Sequence, residues 1–210
     1  MPNDAVHPDL RRAARLAPRG LVGPRTLPIV RTLSALTGRL RRPDASDDVE
    51  ATILGSGVGV RLLRPVGVDE PTPALLWIHG GGYVIGTAQQ DDALCRRFSR
   101  RLGITVASVD YRLAPEHPYP APLEDCYSAL TWLAGLPSVD PKRVAIGGAS
   151  AGGGLAAALA LLARDRGAVA PAFQLLAYPM LDDRSSATPE NAGYRLWNTR
   201  TNRFGWTAYL

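Results

Sequence analysis

Between residues 74 and 177 the sequence alternates short apolar runs with amphipathic stretches, and this alternation restricts the fold more than any other feature. The runs are Ala74 to Ile78, Ile104 to Val109, Arg143 to Ile146 and Phe173 to Ala177. Between them, Asp91 to Leu102, Pro122 to Leu136 and Ala151 to Arg164 carry apolar residues at helical spacing. Mainly apolar strands, each separated from the next by a helix, are what a parallel sheet covered on both faces requires. The expected architecture is α/β, mostly parallel and doubly wound. Ahead of it, Leu10, Ala13, Ala14 and Ala17, then Leu27, Val30, Leu33 and Leu36, recur at helical spacing, broken by Pro18, Gly20, Gly23 and Pro24. This predicts two short helices. Asp44 to Asp48 is a polar break, and Val49 to Leu54 with Val58 to Arg64 reads as a hairpin across Gly55-Ser56-Gly57. Beyond Tyr178-Pro179 the chain turns irregular, and a new helix is expected from Arg203.

Composition narrows the function. With 210 residues, 46% hydrophobic and 20% charged, the chain has material for one globular core, and no linker divides it. Cys95 and Cys126 have neither a disulfide framework nor a C-x-x-C spacing, so two buried thiols are expected. There is no secretory apolar run near the start and no stretch of 18 apolar residues, so the expectation is no membrane span and residence in the cytoplasm. The net charge of +5 is uneven. Residues 1 to 42 hold nine arginines against Asp4 and Asp9, a net of +7, while the rest holds 15 basic and 17 acidic groups, a net of −2. These arginines are interleaved with Leu, Ala and Pro and no aromatic residue is available for stacking, which argues against nucleic acid. A helical segment whose arginines face solvent accounts for the pattern.

Gly148-Ala149-Ser150-Ala151-Gly152 lies directly after an apolar strand and directly before a helix, the setting a G-x-S-x-G motif needs. On so sharp a turn the Ser150 hydroxyl projects above the sheet, and side chains at the flanking glycines would collide with the neighbouring strand and helix. His79-Gly80-Gly81-Gly82 follows another apolar strand, with Gly86 four residues on. Glycines there let backbone N–H groups approach a ligand, and such donors stabilise an acyl-transfer oxyanion by about 3 to 4 kcal/mol each. No Lys-Ser or Lys-Thr follows, which disfavours a phosphate nest. Gly55-x-Gly57-x-Gly59 opens no helix, which removes a dinucleotide site. His79 is expected to brace its loop rather than act as a base.

His79 to Tyr83, Asp110-Tyr111-Arg112-Leu113-Ala114-Pro115-Glu116-His117-Pro118-Tyr119-Pro120-Ala121, and Gly147 to Gly153, in this order, resemble the bacterial hormone-sensitive-lipase-like carboxylesterases of the α/β-hydrolase fold. The resemblance runs from about residue 8 to the end of the chain. It implies that Ser150 is the nucleophile, that the N–H groups of Gly81, Gly82 and Ala151 form the oxyanion hole, and that residues 1–45 form N-terminal cap helices over a partial catalytic domain at 46–210. Ala149 departs from the family, many members of which carry an acidic residue there. Asp110, Arg112 and Glu116 are expected to brace their loop as a charged network, with His117 a fixed loop histidine.

In this fold the triad runs Ser, acid, His along the chain. His7, His79 and His117 all precede Ser150, and although Asp165, Asp182, Asp183 and Glu190 follow it, no further strand remains to present an acid. The resemblance implies roughly another hundred residues carrying the last strands, the acid and the histidine. The expectation is therefore a C-terminally truncated chain, nearly inactive by itself, with an unpaired sheet edge. Two functions are carried forward. One is a serine carboxylesterase acting on a small-molecule short-chain ester through an acyl-enzyme, with no metal or organic cofactor. The other is a non-catalytic small-molecule-binding protein on the same fold. Oligomeric state is not encoded legibly.

Overall fold

The computed structural model describes residues 7–16, 20–40, 49–187 and 196–210. Six strands form one sheet: β1 (Val49–Ile53), β2 (Gly59–Leu63), β3 (Thr72–Ile78), β4 (Thr105–Asp110), β5 (Val139–Ala149) and β6 (Phe173–Ala177), in the order β1-β2-β4-β3-β5-β6. The hairpin β1-β2 is antiparallel and joins antiparallel to β4, while β4-β3, β3-β5 and β5-β6 are parallel. The doubly wound α/β architecture is thus present, with an antiparallel margin at one side.

Alternation along β3 separates two apolar layers. Leu76 and Ile78 face α4 (Ala121–Ala134) and α5 (Ala151–Arg166), packing with Ile146, Leu130, Leu133, Leu155 and Leu159. Leu75 and Trp77 face α3 (Asp92–Leu102), with Cys95, Val106 and Phe98. Full burial of each leucine contributes about 1.5 to 3 kcal/mol. Trp77 donates its indole N–H to Asp91 at 2.8 Å, so its one polar atom is satisfied within the layer. Helix ends follow local chemistry. Gly103 and Gly167 close α3 and α5 in the left-handed conformation, returning N–H groups to Ser99 and Ala163. Both cysteines are buried free thiols.

Three expectations need adjustment. β5 begins at Val139 rather than Arg143, because Val139 pairs with Thr72 ahead of a register irregularity, although the intervening Asp140 to Arg143 is polar. The last helix, α6 (Thr199–Tyr209), starts earlier than Arg203, where Asn198 accepts from the Thr201 N–H at 3.0 Å and caps it. A single-turn 3₁₀ segment, Asp183–Ala187, interrupts the region read as irregular.

At the N-terminus, α1 (Arg11–Leu16) buries nothing, while α2 (Leu27–Leu40) presses Leu27 and Val30 onto the core. Arg12, Arg15 and Arg25 are exposed as expected, but Arg31 turns inward, where carbonyl and carboxylate acceptors await it. Ala17, Arg19, Arg41, Arg42 and the Asp44 to Asp48 break lie outside the described residues. At the far side of the described sheet β6 has one neighbour, and Phe173 on it is 62% exposed. No helix among the described residues is long and apolar enough to cross a membrane.

Candidate active site

β5 runs into Ser150, which adopts φ 55°, ψ −119°, and α5 begins at the next residue. A non-glycine residue in this region carries strain of about 1 to 3 kcal/mol, and the surroundings must hold it there. They do so from both sides. The Ser150 N–H donates to Ala177 at the end of β6 at 2.9 Å, and its carbonyl accepts from Gly154 and from Met180, each at 3.0 Å. Gly152 allows the elbow to close: a Cβ there would overlap the carbonyl oxygens of Ile78 and His79. The first turn of α5 therefore sits directly against the end of β3.

The glycine loop leaves β3 at His79, which is fully buried and stacks on Tyr111 with ring centroids 4.2 Å apart. His79 Nδ1 lies 2.8 Å from the Gly80 carbonyl; a carbonyl only accepts, so Nδ1 carries the proton. Nε2 is 4.0 Å from Asp110 Oδ1, too far for a hydrogen bond, and has no partner among the described residues. Burial lowers the imidazole pKa, opposed by the Gly80 bond and the Asp110 charge. A neutral histidine bonded to its own loop fits the bracing role.

Gly81, at φ +135°, turns the chain so that its carbonyl accepts from both Val84 and Ile85, at 3.1 and 3.0 Å. Tyr83 is buried, stacked on Tyr209 at 4.1 Å and donating to the Met180 carbonyl at 3.3 Å. The loop backs onto the elbow: a Cβ on Gly80 would lie 2.9 Å from the Ala149 carbonyl and 3.4 Å from Ser150 Cβ. The N–H groups of Gly81, Gly82 and Ala151 have no acceptor among the described residues. A half-buried serine hydroxyl, three uncommitted N–H donors and a helix N-terminus are thus gathered at the C-terminal end of β3 and β5. Such a set suits addition of an alkoxide to a carbonyl and holding of the resulting oxyanion.

Two contributors escaped the sequence reading. Trp197 lays its ring where a Gly82 Cβ would be, and Gly205 of α6 lies beside the Gly82 carbonyl, so the C-terminal helix covers the loop. The partners of the charged segment 110–121 are the second. Asp110, Arg112 and Glu116 do not form a mutual network, because each has a better partner elsewhere. Arg112 donates from its backbone N–H and its guanidinium to Asp125 of α4, at 2.8 Å from the N–H and 2.7 to 3.1 Å from the side chain. Glu116 pairs with Arg31 at 2.8 Å, and Asp110 accepts the Ala88 N–H at 3.0 Å. An apolar helix carrying one buried aspartate, as α4 does at Asp125, was the available signal. His117 is exposed and held through its backbone, and His7 lies 3.8 Å from Asp9 at the surface, so neither belongs to this cluster.

Known proteins share this fold. The family described as alpha/beta hydrolase fold matches residues 75–210. Carboxylic ester hydrolase LipN of Mycobacterium tuberculosis (strain ATCC 25618 / H37Rv) is 46% identical over 133 residues, which is 60% of this chain but 35% of that protein. Ethyl acetate hydrolase of Pseudomonas putida is 34% identical over 215 residues, 91% of this chain and 67% of that one. Among solved structures, a bacterial heroin esterase superposes with a TM-score of 0.88 at 40% identity, covering 100% of this chain and 70% of its own. The chain thus spans between a third and a half of the length of the first curated relatives it matches. On these findings the chain belongs to the α/β-hydrolase fold family, in its hormone-sensitive-lipase-like carboxylesterase branch.

Proposed function

We propose that the chain carries the nucleophile and oxyanion hole of a serine carboxylesterase acting on short-chain carboxylic esters in the cytoplasm. Residues 1–45 serve as cap and 46–210 as part of the catalytic domain. The observation that carries this reading is the apposition of Ser150, held at positive φ, with a glycine loop whose N–H groups are uncommitted. Ser150 Oγ attacks the ester carbonyl while its proton passes to a base. The carbonyl π pair moves onto oxygen and is held by the N–H groups of Gly81, Gly82 and Ala151. Collapse of the intermediate breaks the bond to the alkoxy oxygen, which takes the proton and leaves as alcohol. Water then adds to the acyl-enzyme and the acid departs. The names of the relatives, carboxylic ester hydrolase and ethyl acetate hydrolase, support the ester class.

The base is the open part of this scheme. Residues 151–210 contain no histidine, and His79 is bonded to its own loop. We propose that the acid and the histidine come from outside residues 1–210. The 210-residue chain then hydrolyses p-nitrophenyl acetate no faster than its S150A variant, and fusion to a downstream segment bearing the missing pair restores Ser150-dependent turnover. Robust Ser150-dependent turnover by the 210-residue chain would overturn this assignment. The same absence of a base gives a second reading some support, a small-molecule-binding protein on this fold. Saturable ester binding with no turnover even after fusion favours that alternative.

A further inference from the structure

Arg31 joins three segments that are remote in sequence. Its Nε donates to the Val84 carbonyl at 2.8 Å, Nη2 to the Ala114 carbonyl at 2.6 Å, and Nη1 to both carboxylate oxygens of Glu116 at 2.8 Å. Val84 is the residue whose N–H closes the turn on the Gly81 carbonyl. Ala114, in turn, donates its N–H to the Tyr83 carbonyl at 3.0 Å. The guanidinium therefore closes a ring that runs from α2 to the glycine loop, across to the 110–121 segment and back. Val84 and Ala114 are both fully buried, so their carbonyls lose a donor at a cost if the arginine departs. The two carbonyls and the carboxylate are reached from three separate nitrogens of one planar fork, a spread that the single nitrogen of an ammonium does not offer.

We propose that Arg31 is a positioning residue for the glycine loop, so that docking of α2 and the presentation of the Gly81 and Gly82 N–H groups form one coupled equilibrium. This rests on the reading of those N–H groups as an oxyanion hole. The N-terminal helix then does more than cover the site: its departure relaxes the Gly81 to Ile85 turn.

The test is amide hydrogen exchange, with ¹H–¹⁵N spectra, on the 210-residue chain and its R31A, R31K and E116Q variants. In R31A, exchange at Val84 and Ile85 rises at least about tenfold and the Gly81 and Gly82 resonances shift, while β3, β4 and β5 are unchanged. R31K keeps a cation beside Glu116 yet matches R31A at the loop. E116Q keeps both carbonyl bonds and stays within about threefold of the unsubstituted chain there. Millimolar guanidinium restores slow loop exchange to R31A. Unchanged Val84 and Ile85 exchange alongside faster exchange in α2 overturns the proposal, leaving Arg31 as an anchor of the helix alone. Should R31A loosen the whole sheet, the guanidinium addition decides: recovery at the loop supports the coupling and its failure overturns it. No substrate enters these measurements, so failure of the oxyanion-hole reading registers separately, in the hydrolysis assay.

Discussion

Replacing Asp125 by alanine probes how the 110–121 segment is tied to α4. The Asp125 side chain is 3% exposed and accepts the Arg112 backbone N–H together with its guanidinium. The substitution leaves that N–H without an acceptor and removes several charge-assisted bonds. Breaking a buried pair costs about 3 to 5 kcal/mol when the surviving charge is trapped. Here the survivor is Arg112, whose side chain is 50% exposed and returns to water. The expected loss is therefore smaller, about 2 to 3 kcal/mol. At about 2 to 4 °C per kcal/mol for a chain of this size, Tm falls by about 4 to 12 °C. The reciprocal R112A variant strands the carboxylate with a single backbone donor and costs at least as much. Urea titration followed by far-UV circular dichroism measures both, with an unchanged m-value showing that the midpoint shift reports stability. The double variant costs less than the sum of the two, by about 1 to 3 kcal/mol. If D125A lies within about 0.5 kcal/mol of the unsubstituted chain, or R112A proves the milder change, the account of this contact is wrong.

Three further outcomes follow from the same structure. G152A drives a methyl group into the Ile78 and His79 carbonyls; overpacking of about 1 to 3 kcal/mol exceeds the gain in helix propensity, so the urea midpoint falls, and a rise would refute the close approach. Burial, followed by Asp91 and Asp92, pushes the Cys95 thiol up to about 12, and burial followed by Asp125 raises Cys126 well above the usual thiol range, so neither reacts with a thiol reagent at pH 8 until the chain is unfolded. Glu116 and Glu124 are held below the ordinary carboxylate range by hydrogen bonds from Arg31 and Arg166. A folded-state value below the unfolded one means stabilisation present above the unfolded pKa and lost as pH falls through the folded one. Proteolytic sensitivity of α2 should therefore stay flat from neutrality to about pH 5, rise only in more acidic solution, and lose this window in E116Q.

The strands and the elbow were legible because period and glycine placement are local signals. Ala74 to Ile78 is apolar throughout, Phe173 to Ala177 is apolar apart from Gln174, and Gly148 to Gly152 announces its turn by itself. Long-range pairing leaves no such mark. Arg31 looked like one of nine arginines facing water, and only the fold reveals that the Val84 and Ala114 carbonyls converge on it. Asp110, Arg112 and Glu116 sit close enough in sequence to suggest one another as partners, yet α4 and α2 supply stronger ones. Trp197 follows a stretch with no periodicity, so its place over Gly82 could not be read from its neighbours. Polarity at Asp140 to Arg143 likewise hid the start of β5: Val139 pairs with Thr72, and the polar residues after it fill the register irregularity before Val144.

The backbone bonds that fix Ser150 reach forward along the chain, to Ala177 and Met180. During synthesis the serine therefore emerges before the residues that hold it in its strained conformation. Folding that proceeds from the N-terminus can complete β3, β4 and β5 while the elbow remains free to relax. The strained conformation is accordingly secured only after residues 177 to 180 are made, and an incomplete chain ending before residue 177 would display the motif without the posture.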